Sequence, residues 1–86
     1  MTDLTKQEFL AKYGHVVVQF RGYRKYAFIF QGKLDNGDNI VVRACECSDE
    51  VYEFEVSDGE VQLSTIDYLH VGEIYRGQVL IESFYA

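Results

Sequence analysis

Apolar side chains near the N-terminus recur at the spacing of one helix face, and a capping signal precedes most of them. The segment Thr5-Lys6-Gln7-Glu8 fits a capping box, in which the Thr5 oxygen accepts from the N3 amide and Glu8 reaches back to the cap. Gly14 occupies the position at which a left-handed residue ends many helices. The pattern predicts a helix over residues 3–13. Its apolar stripe comprises Leu4, Phe9, Leu10 and Tyr13.

From His15 onward the pattern changes to a period of two, which is typical of strands with one buried face. The Asn36-Gly37 pair is the strongest turn signal, because it supplies the positive φ angles of a type I′ hairpin. Five strands are predicted in this region, at residues 15–21, 26–34, 39–47, 52–56 and 61–63. The predicted turns between them cover residues 21–25, 35–38, 48–50 and 57–59.

The C-terminal part of the chain gives weaker signals. Residues 64–71 fit either a short helix, with Ser64 as its cap and Asp67 at N3, or an extension of the preceding strand. Gly72 and Gly77 indicate a loop, and residues 78–85 fit a final strand.

These elements predict an α+β fold, in which the N-terminal helix packs on a bent, mostly antiparallel sheet of five or six strands. Short connections favour antiparallel neighbours, since parallel strands need long crossovers. One helix covers one face, so the sheet either curls into a partly closed barrel or leaves a face open to a partner. The leading core candidates are Val16, Val18, Phe20, Phe28, Phe30, Ile40, Val42, Phe54, Val56, Leu63, Val79 and Ile81.

Length and composition favour a single cytoplasmic domain over residues 1–86. Apolar residues make up 48% of the chain, which is enough to form a core. Cys45 and Cys47 lie two apart on a predicted strand, and two such thiols in a small domain argue for a reducing compartment. The N-terminus lacks the basic start and apolar run of a signal peptide. No stretch approaches the roughly 20 apolar residues of a membrane span, so we expect no membrane partner.

Charge is divided unevenly along the chain. Residues 1–43 hold seven bases and four acids, whereas residues 44–86 hold one base and ten acids. Acidic surfaces accelerate the encounter with basic partners and repel nucleic acid. We therefore expect a non-enzymatic protein whose acidic hairpin docks on a basic macromolecule, such as a nucleic-acid-binding protein. Small inhibitors of phages and mobile elements, and antitoxin or immunity proteins, share this logic. The candidate partner-binding residues are Glu46, Asp49, Glu50, Tyr52, Glu53, Glu55, Asp58 and Glu60.

A second hypothesis uses the predicted turn after the first strand, where bases alternate with aromatic residues. Single-stranded nucleic acid is held in this way, by stacking and phosphate contacts. The candidate residues are Arg21, Tyr23, Arg24, Lys25 and Tyr26. The same basic turn could meet the acidic hairpin of a second copy, so a homodimer also stays open.

No catalytic, metal or cofactor pattern is evident. The two histidines, His15 and His70, match no catalytic motif, and no serine lies in a Gly-x-Ser-x-Gly elbow. Cys45 and Cys47 have a spacing of one residue, whereas zinc-binding thiols usually have two to four between them. We therefore expect no enzyme activity, no metal and no cofactor.

Overall fold

The computed structural model describes residues 1–24, 27–45 and 59–86. The predicted strand at 52–56, with the core candidates Phe54 and Val56, and the predicted turn at 48–50 lie outside these residues. Within them the chain forms one α-helix, a short 3-10 helix at Leu63–Thr65 and seven strands. They are β1 (Thr2–Asp3), α1 (Lys6–Tyr13), β2 (Val17–Arg24), β3 (Ala27–Lys33), β4 (Asn39–Cys45), β5 (Glu60–Gln62), β6 (Leu69–Arg76) and β7 (Val79–Tyr85).

Helix α1 begins at the predicted capping box. The Thr5 N–H donates to Glu8 Oε1 at 2.9 Å, and the Glu8 N–H donates to Thr5 Oγ1 at 3.1 Å. The predicted left-handed cap at Gly14 is wrong, because Gly14 has φ −59° and its N–H donates to the Leu10 carbonyl. A side chain at Gly14 would meet the carbonyl of Leu10 and the side chain of Ser64, so this glycine permits close packing rather than a special φ.

Strand β2 runs further than predicted, through Arg24, so most of the predicted turn at 21–25 is strand. A β-bulge makes this extension, since the register shifts between Phe20 and Gly22 and leaves Arg21 without an opposite residue. Gly22 has φ 146°, which a residue with a side chain rarely adopts.

The β3–β4 hairpin lies where the sequence predicts it, but its turn differs. Leu34 N–H donates to the Asp38 carbonyl at 2.8 Å, and Gly37 N–H donates to the Leu34 carbonyl at 2.9 Å. Of the turn residues only Gly37 has a positive φ, 92°, so this is a three-residue loop rather than a two-residue type I′ turn. The Asn36 side chain accepts from the Asp38 N–H at 2.9 Å and so favours the longer loop.

The C-terminal part is more regular than predicted. The 3-10 helix at Leu63–Thr65 is followed by strand β6 from Leu69, so residues 64–71 are neither a capped α-helix nor a continuous strand. Gly72 lies within β6 rather than in a loop. Arg76 pairs with Val79, which leaves Gly77 and Gln78 as a two-residue turn with φ 63° at Gly77.

The seven described strands form one open, mixed sheet in the order β1-β7-β6-β4-β3-β2-β5. β1 pairs with β7 in parallel, and the other neighbours are antiparallel, so the mostly antiparallel prediction is confirmed. The prediction of five or six strands, and that of a partly closed barrel, is wrong. Residues 2–3 join the sheet rather than the helix, because the Leu4 N–H also donates to the Ser83 carbonyl at 2.7 Å.

The core lies between α1 and one face of the sheet. Six predicted core residues in the described part are buried, namely Val18, Phe28, Phe30, Ile40, Val42 and Leu63. Val16, Phe20 and Ile81 pack against them half-buried. Val79 is 63% exposed, because it directly follows the β6–β7 turn. Phe9 closes the core, with ring centroids 4.9 Å from Phe84 and 5.0 Å from Tyr13. No helix in the described residues is both long and apolar enough to cross a membrane.

Candidate functional site

Most of the predicted partner-binding residues lie outside the described part of the chain. They are Glu46, Asp49, Glu50, Tyr52, Glu53, Glu55 and Asp58. Glu60 is described, and it is exposed as the first residue of the edge strand β5. It lies opposite Gln19 of β2, whose Nε2 donates to Glu60 Oε1 at 3.4 Å. Glu60 is therefore an accessible acid at an edge of the sheet.

Asp38 is a buried acid with a structural partner. Only 5% of it is exposed, and Arg76 donates to its two carboxylate oxygens from Nε at 3.1 Å and from Nη2 at 3.0 Å. These hydrogen bonds and the guanidinium charge hold the pKa of Asp38 below its ordinary value. The pair ties the β3–β4 turn to the end of β6.

Glu82 is a second buried acid, on the face of β7 that α1 covers. Lys12 Nζ donates to Glu82 Oε2 at 2.8 Å, and the Tyr13 hydroxyl donates to Glu82 Oε1. Burial alone would raise the pKa of Glu82, but the hydrogen bonds from Lys12 and Tyr13 outweigh it and lower the pKa. Burial and the Glu82 carboxylate raise the pKa of Tyr13. This cluster joins the end of α1 to the sheet.

Two further acids also have roles in the fold. Glu8 completes the capping box of α1, and Glu73 accepts from the Tyr85 hydroxyl at 2.7 Å. The described residues hold eight acids and seven bases, so their charges almost balance. Residues 46–58 hold six acids and no base. The excess negative charge of the protein is therefore concentrated in that one segment of sequence.

The face of the sheet opposite α1 carries a different set of side chains. In the described residues no helix covers it, and we call it the open face. Its outward-pointing residues follow from the strand register, since directly opposite residues share a face. Ile29 pairs with Arg43, and Lys33 pairs with Asn39. Ile29 follows the buried Phe28 and Asn39 precedes the buried Ile40, so the side chains of both pairs point away from the core. The open face is lined by Gln19, Arg21, Arg24, Ile29, Gln31, Lys33, Asn39, Val41, Arg43, Glu73 and Tyr75.

Bases outnumber acids on the open face. Arg21, Arg24, Lys33 and Arg43 are all exposed, and none of them forms an ion pair with another described residue. The acids of this face are Glu73, bonded by Tyr85, Glu60 at the β5 edge, and Asp3, which aligns with Glu73 through Ser83. A groove of about 320 Å³ runs across it between Arg21 and Lys33, beside the amides of Gln19 and Gln31. The exposed charge of this face is therefore mainly positive, which is the sign that suits an anion.

The structure divides the basic and aromatic cluster of residues 21–26. Lys25 and Tyr26 lie outside the described residues. Arg21, in the bulge, and Arg24 line the depressions of the open face. Tyr23 lies on the helix side, because it pairs with the buried Phe28 and their ring centroids are 5.3 Å apart. Alternation along a strand thus places Tyr23 and the two bases on opposite faces.

A depression of about 270 Å³ lies at one end of the open face. Its lining residues are Arg24, Ala27, Ile29, Arg43 and His70. Arg43 projects outward because it alternates with the buried Val42 and Ala44, a signal that the sequence alone contains. The place of His70 could not be found from the sequence, since it depends on a second bulge, where the register of β4 and β6 shifts.

A larger cleft of about 540 Å³ separates the end of α1 from the β3–β4 turn. Its ionisable residues are Lys12, Tyr13, His15, Lys33 and Asp35. Lys12 already binds Glu82, and the remaining charges are of both signs. The ionisable side chains around this cleft therefore do not form a cluster of one charge sign.

The described residues contain no group of three His, Cys, Asp or Glu side chains that could hold a metal ion. Cys45 is a half-buried free thiol, and Cys47 lies outside the described residues.

Comparison of the chain with protein-family models, with curated proteins and with solved structures finds no match. Function is therefore argued from the charges and geometry of this molecule.

Proposed function

We propose that the protein is a non-enzymatic binding protein, which docks the acidic segment 46–60 on a basic macromolecular partner and blocks it. A nucleic-acid-binding protein is the partner class that fits best, because its binding groove carries Lys and Arg side chains for phosphate. Tyr52 would supply an aromatic contact among the acids.

The observation that carries the proposal is the distribution of acidic residues along the chain. In the described residues Asp38, Glu82, Glu73 and Glu8 hold elements of the fold together. The surplus of six acids lies in residues 46–58, next to the exposed Glu60. Like charges close together in sequence destabilise a fold unless something compensates for them. A basic partner would provide that compensation.

Charge reversal tests this proposal. The protein is immobilised and exposed to nuclease-treated lysate of its source cells at low and at high salt, and the retained proteins are identified by mass spectrometry. We expect wild type to retain one dominant basic protein at low salt and less of it at high salt, because salt screens exposed charges. The triple variant Glu53→Lys, Glu55→Lys and Glu60→Lys should lose it.

A matched control separates a local from a general charge effect. Asp3, Asp35 and Asp67 are exposed acids outside the segment, with no ion pair to another described residue. Changing these three to Lys alters the net charge equally and should leave the partner bound. Full retention by the Glu53, Glu55 and Glu60 variant, with its circular dichroism unchanged, would contradict the proposal.

A second candidate function is supported by the open face. Four bases on this face form no ion pair with another described residue, and its groove is lined by polar side chains. Such a face suits a polyanion, which favours the binding of single-stranded nucleic acid. We expect Arg24→Glu to weaken the binding of RNA or single-stranded DNA, and the affinity to fall with rising salt. Lys6→Glu, with the same charge change on α1, is the control and should have a smaller effect. Equal losses in both variants would contradict this second candidate.

A further inference from the structure

We propose that Arg24, Arg43 and His70 form a binding pocket for a single phosphoryl group. The pocket is the depression of about 270 Å³ at the end of the open face. It does not depend on the acidic-segment proposal. It shares Arg24 and Arg43 with the second candidate function, and the experiment below separates the two.

The first argument is the convergence of two arginines on one space. Arg24 lies across β3 from Cys45, two residues along β4 from Arg43. Strand spacing and residue rise place the two backbones roughly 12 Å apart, a distance that two arginine side chains can close around one anion. Ala27, between Arg24 and Cys45, is small enough to leave the space open.

The second argument is an unfilled hydrogen-bonding position. His70 Nδ1 is buried and has no hydrogen-bond partner among the described residues. Buried polar atoms are almost always bonded, so one without a partner calls for an explanation. His70 lines the same depression as the two arginines. An anion in the depression would supply the missing partner once the imidazole ring turns this nitrogen, carrying its proton, toward the depression.

The bulge in β6 accounts for the position of His70. Arg43 pairs with Val71 and Ala44 pairs with Leu69, so His70 is the extra residue between them. Bulges redirect a side chain and are frequent beside binding sites. The backbone here is held in place, since the Cys45 N–H donates to the Tyr68 carbonyl at 2.9 Å and the Ala86 N–H to the His70 carbonyl at 2.8 Å.

The chemistry of the lining selects a phosphoryl group. Among the described lining residues there is no carboxylate to neutralise the arginines. Guanidinium groups bind phosphate in a bidentate manner, and two of them with an imidazole offer donors from three different strands. A tetrahedral group with three or four oxygens fills such an arrangement better than a planar carboxylate with two. The phosphoryl group could belong to a small phosphate ester or to a nucleic-acid strand.

The pocket is tested by nuclear magnetic resonance on the full chain labelled with ¹⁵N, at constant ionic strength. Inorganic phosphate, adenosine 5′-monophosphate, adenosine and acetate are titrated separately. We expect phosphate and the monophosphate to cause saturable shifts of the amides of Arg24, Ala27, Arg43 and His70. Adenosine should cause none, and acetate should bind more weakly.

Variants distinguish a built pocket from diffuse positive charge. Arg43→Gln should weaken phosphate binding about tenfold or more, since it removes a charge-assisted hydrogen bond. Lys33→Gln removes an exposed base of the same face outside the pocket, and it should change the affinity less than twofold. If Arg43→Gln fails to fold, Arg24→Gln replaces it. Shifts that do not saturate, or equal losses in the Arg43 and Lys33 variants, would overturn the pocket.

A single-stranded oligonucleotide separates the two sources of the phosphoryl group. If it binds more tightly than the monophosphate and loses affinity in Arg43→Gln, the pocket holds a backbone phosphate. If it does not bind while the monophosphate saturates, the ligand is a small phosphate ester and the nucleic-acid candidate fails alone. If it binds without phosphate saturation and without loss in Arg43→Gln, the pocket fails and the nucleic-acid candidate stands.

Discussion

Replacing Gly72 by alanine probes the contact between α1 and the sheet. Gly72 is buried in β6, directly opposite Val42 on β4 and Phe84 on β7. A Cβ atom added there would lie 2.5 Å from Phe9 Cζ and 2.8 Å from Phe84 Cδ2. Carbon atoms ordinarily approach to about 3.5–4.0 Å, so the Phe9 ring would have to withdraw by roughly 1 Å. The helix would have to move with it.

Whether Gly72→Ala raises or lowers the free energy of unfolding shows which of two opposing effects is larger. Gly→Ala where the backbone is unstrained stabilises a protein by about 0.4–1 kcal/mol, because it restricts the unfolded chain. Gly72 has no positive φ, so this gain applies in principle. Overpacking a core costs about 1–3 kcal/mol and should dominate. The two ranges leave a net cost of up to about 2.6 kcal/mol, which at about 4–8 °C per kcal/mol lowers Tm by up to about 20 °C.

Urea unfolding followed by far-ultraviolet circular dichroism and tyrosine fluorescence measures this loss, since the chain has no tryptophan. A double-mutant cycle with Phe9→Leu identifies the contact responsible. In the Phe9→Leu background, Gly72→Ala should cost at least about 1 kcal/mol less than in wild type. A Gly72→Ala variant as stable as wild type, or an equal cost in both backgrounds, would refute the packing of Phe9 on Gly72.

Three further predictions concern the buried acids and the helix cap. Because Arg76 lowers the pKa of Asp38, the ion pair stabilises the fold fully above the ordinary Asp value of 3.8, and this contribution is lost as pH falls through the lower folded pKa. Asp38→Asn should thus lower the urea midpoint at pH 7 and flatten its decline in acid, and an unchanged midpoint would contradict this. Tyr13→Phe should cost about 1–3 kcal/mol and raise the pKa of Glu82, which carboxyl ¹³C resonances would follow; a Glu82 pKa that does not move would be evidence against the hydrogen bond. Thr5→Ala should cost about 0.5–2 kcal/mol and speed amide exchange in the first turn of α1, where no change would mean that the cap is not formed in solution.

The sequence predicted those features that depend on neighbouring residues. The capping box depends on Thr5 and Glu8, three positions apart, so its signal lies within one turn of helix. The Asn36-Gly37 turn signal between two apolar segments predicted the β3–β4 hairpin, and its predicted core residues Phe28, Phe30, Ile40 and Val42 are buried. Arg43 points outward because it alternates with the buried Val42 and Ala44, whereas its position near Arg24 depends on the pairing of β2, β3 and β4.

The candidate sites also combine features that the sequence predicts with features that only the structure shows. The concentration of acids in residues 46–58 is a property of the sequence, and the structure adds that four of the eight described acids hold elements of the fold together. The cluster at residues 21–26 looked continuous in sequence, but the strand separates Tyr23 from Arg21 and Arg24. The depression between Arg24, Arg43 and His70 joins three strands, and nothing in the spacing of those residues predicts it.

Tertiary contacts decided the rest, because they depend on partners far away in sequence. Residues 2–3 form a strand because they pair with β7, where the Ser83 carbonyl accepts a hydrogen bond from the Leu4 N–H. Gly72 suggests a loop when its neighbours along the chain are considered, yet it lies in a strand because it pairs with Val42 of β4 and Phe84 of β7. Phe9 of α1 occupies the space that a side chain at this position would need. His70 reaches the open face through a bulge that the pairing of β4 with β6 imposes. Local pattern therefore determined which segments became helix or strand, while packing between distant segments determined the strand order and the side chains that meet.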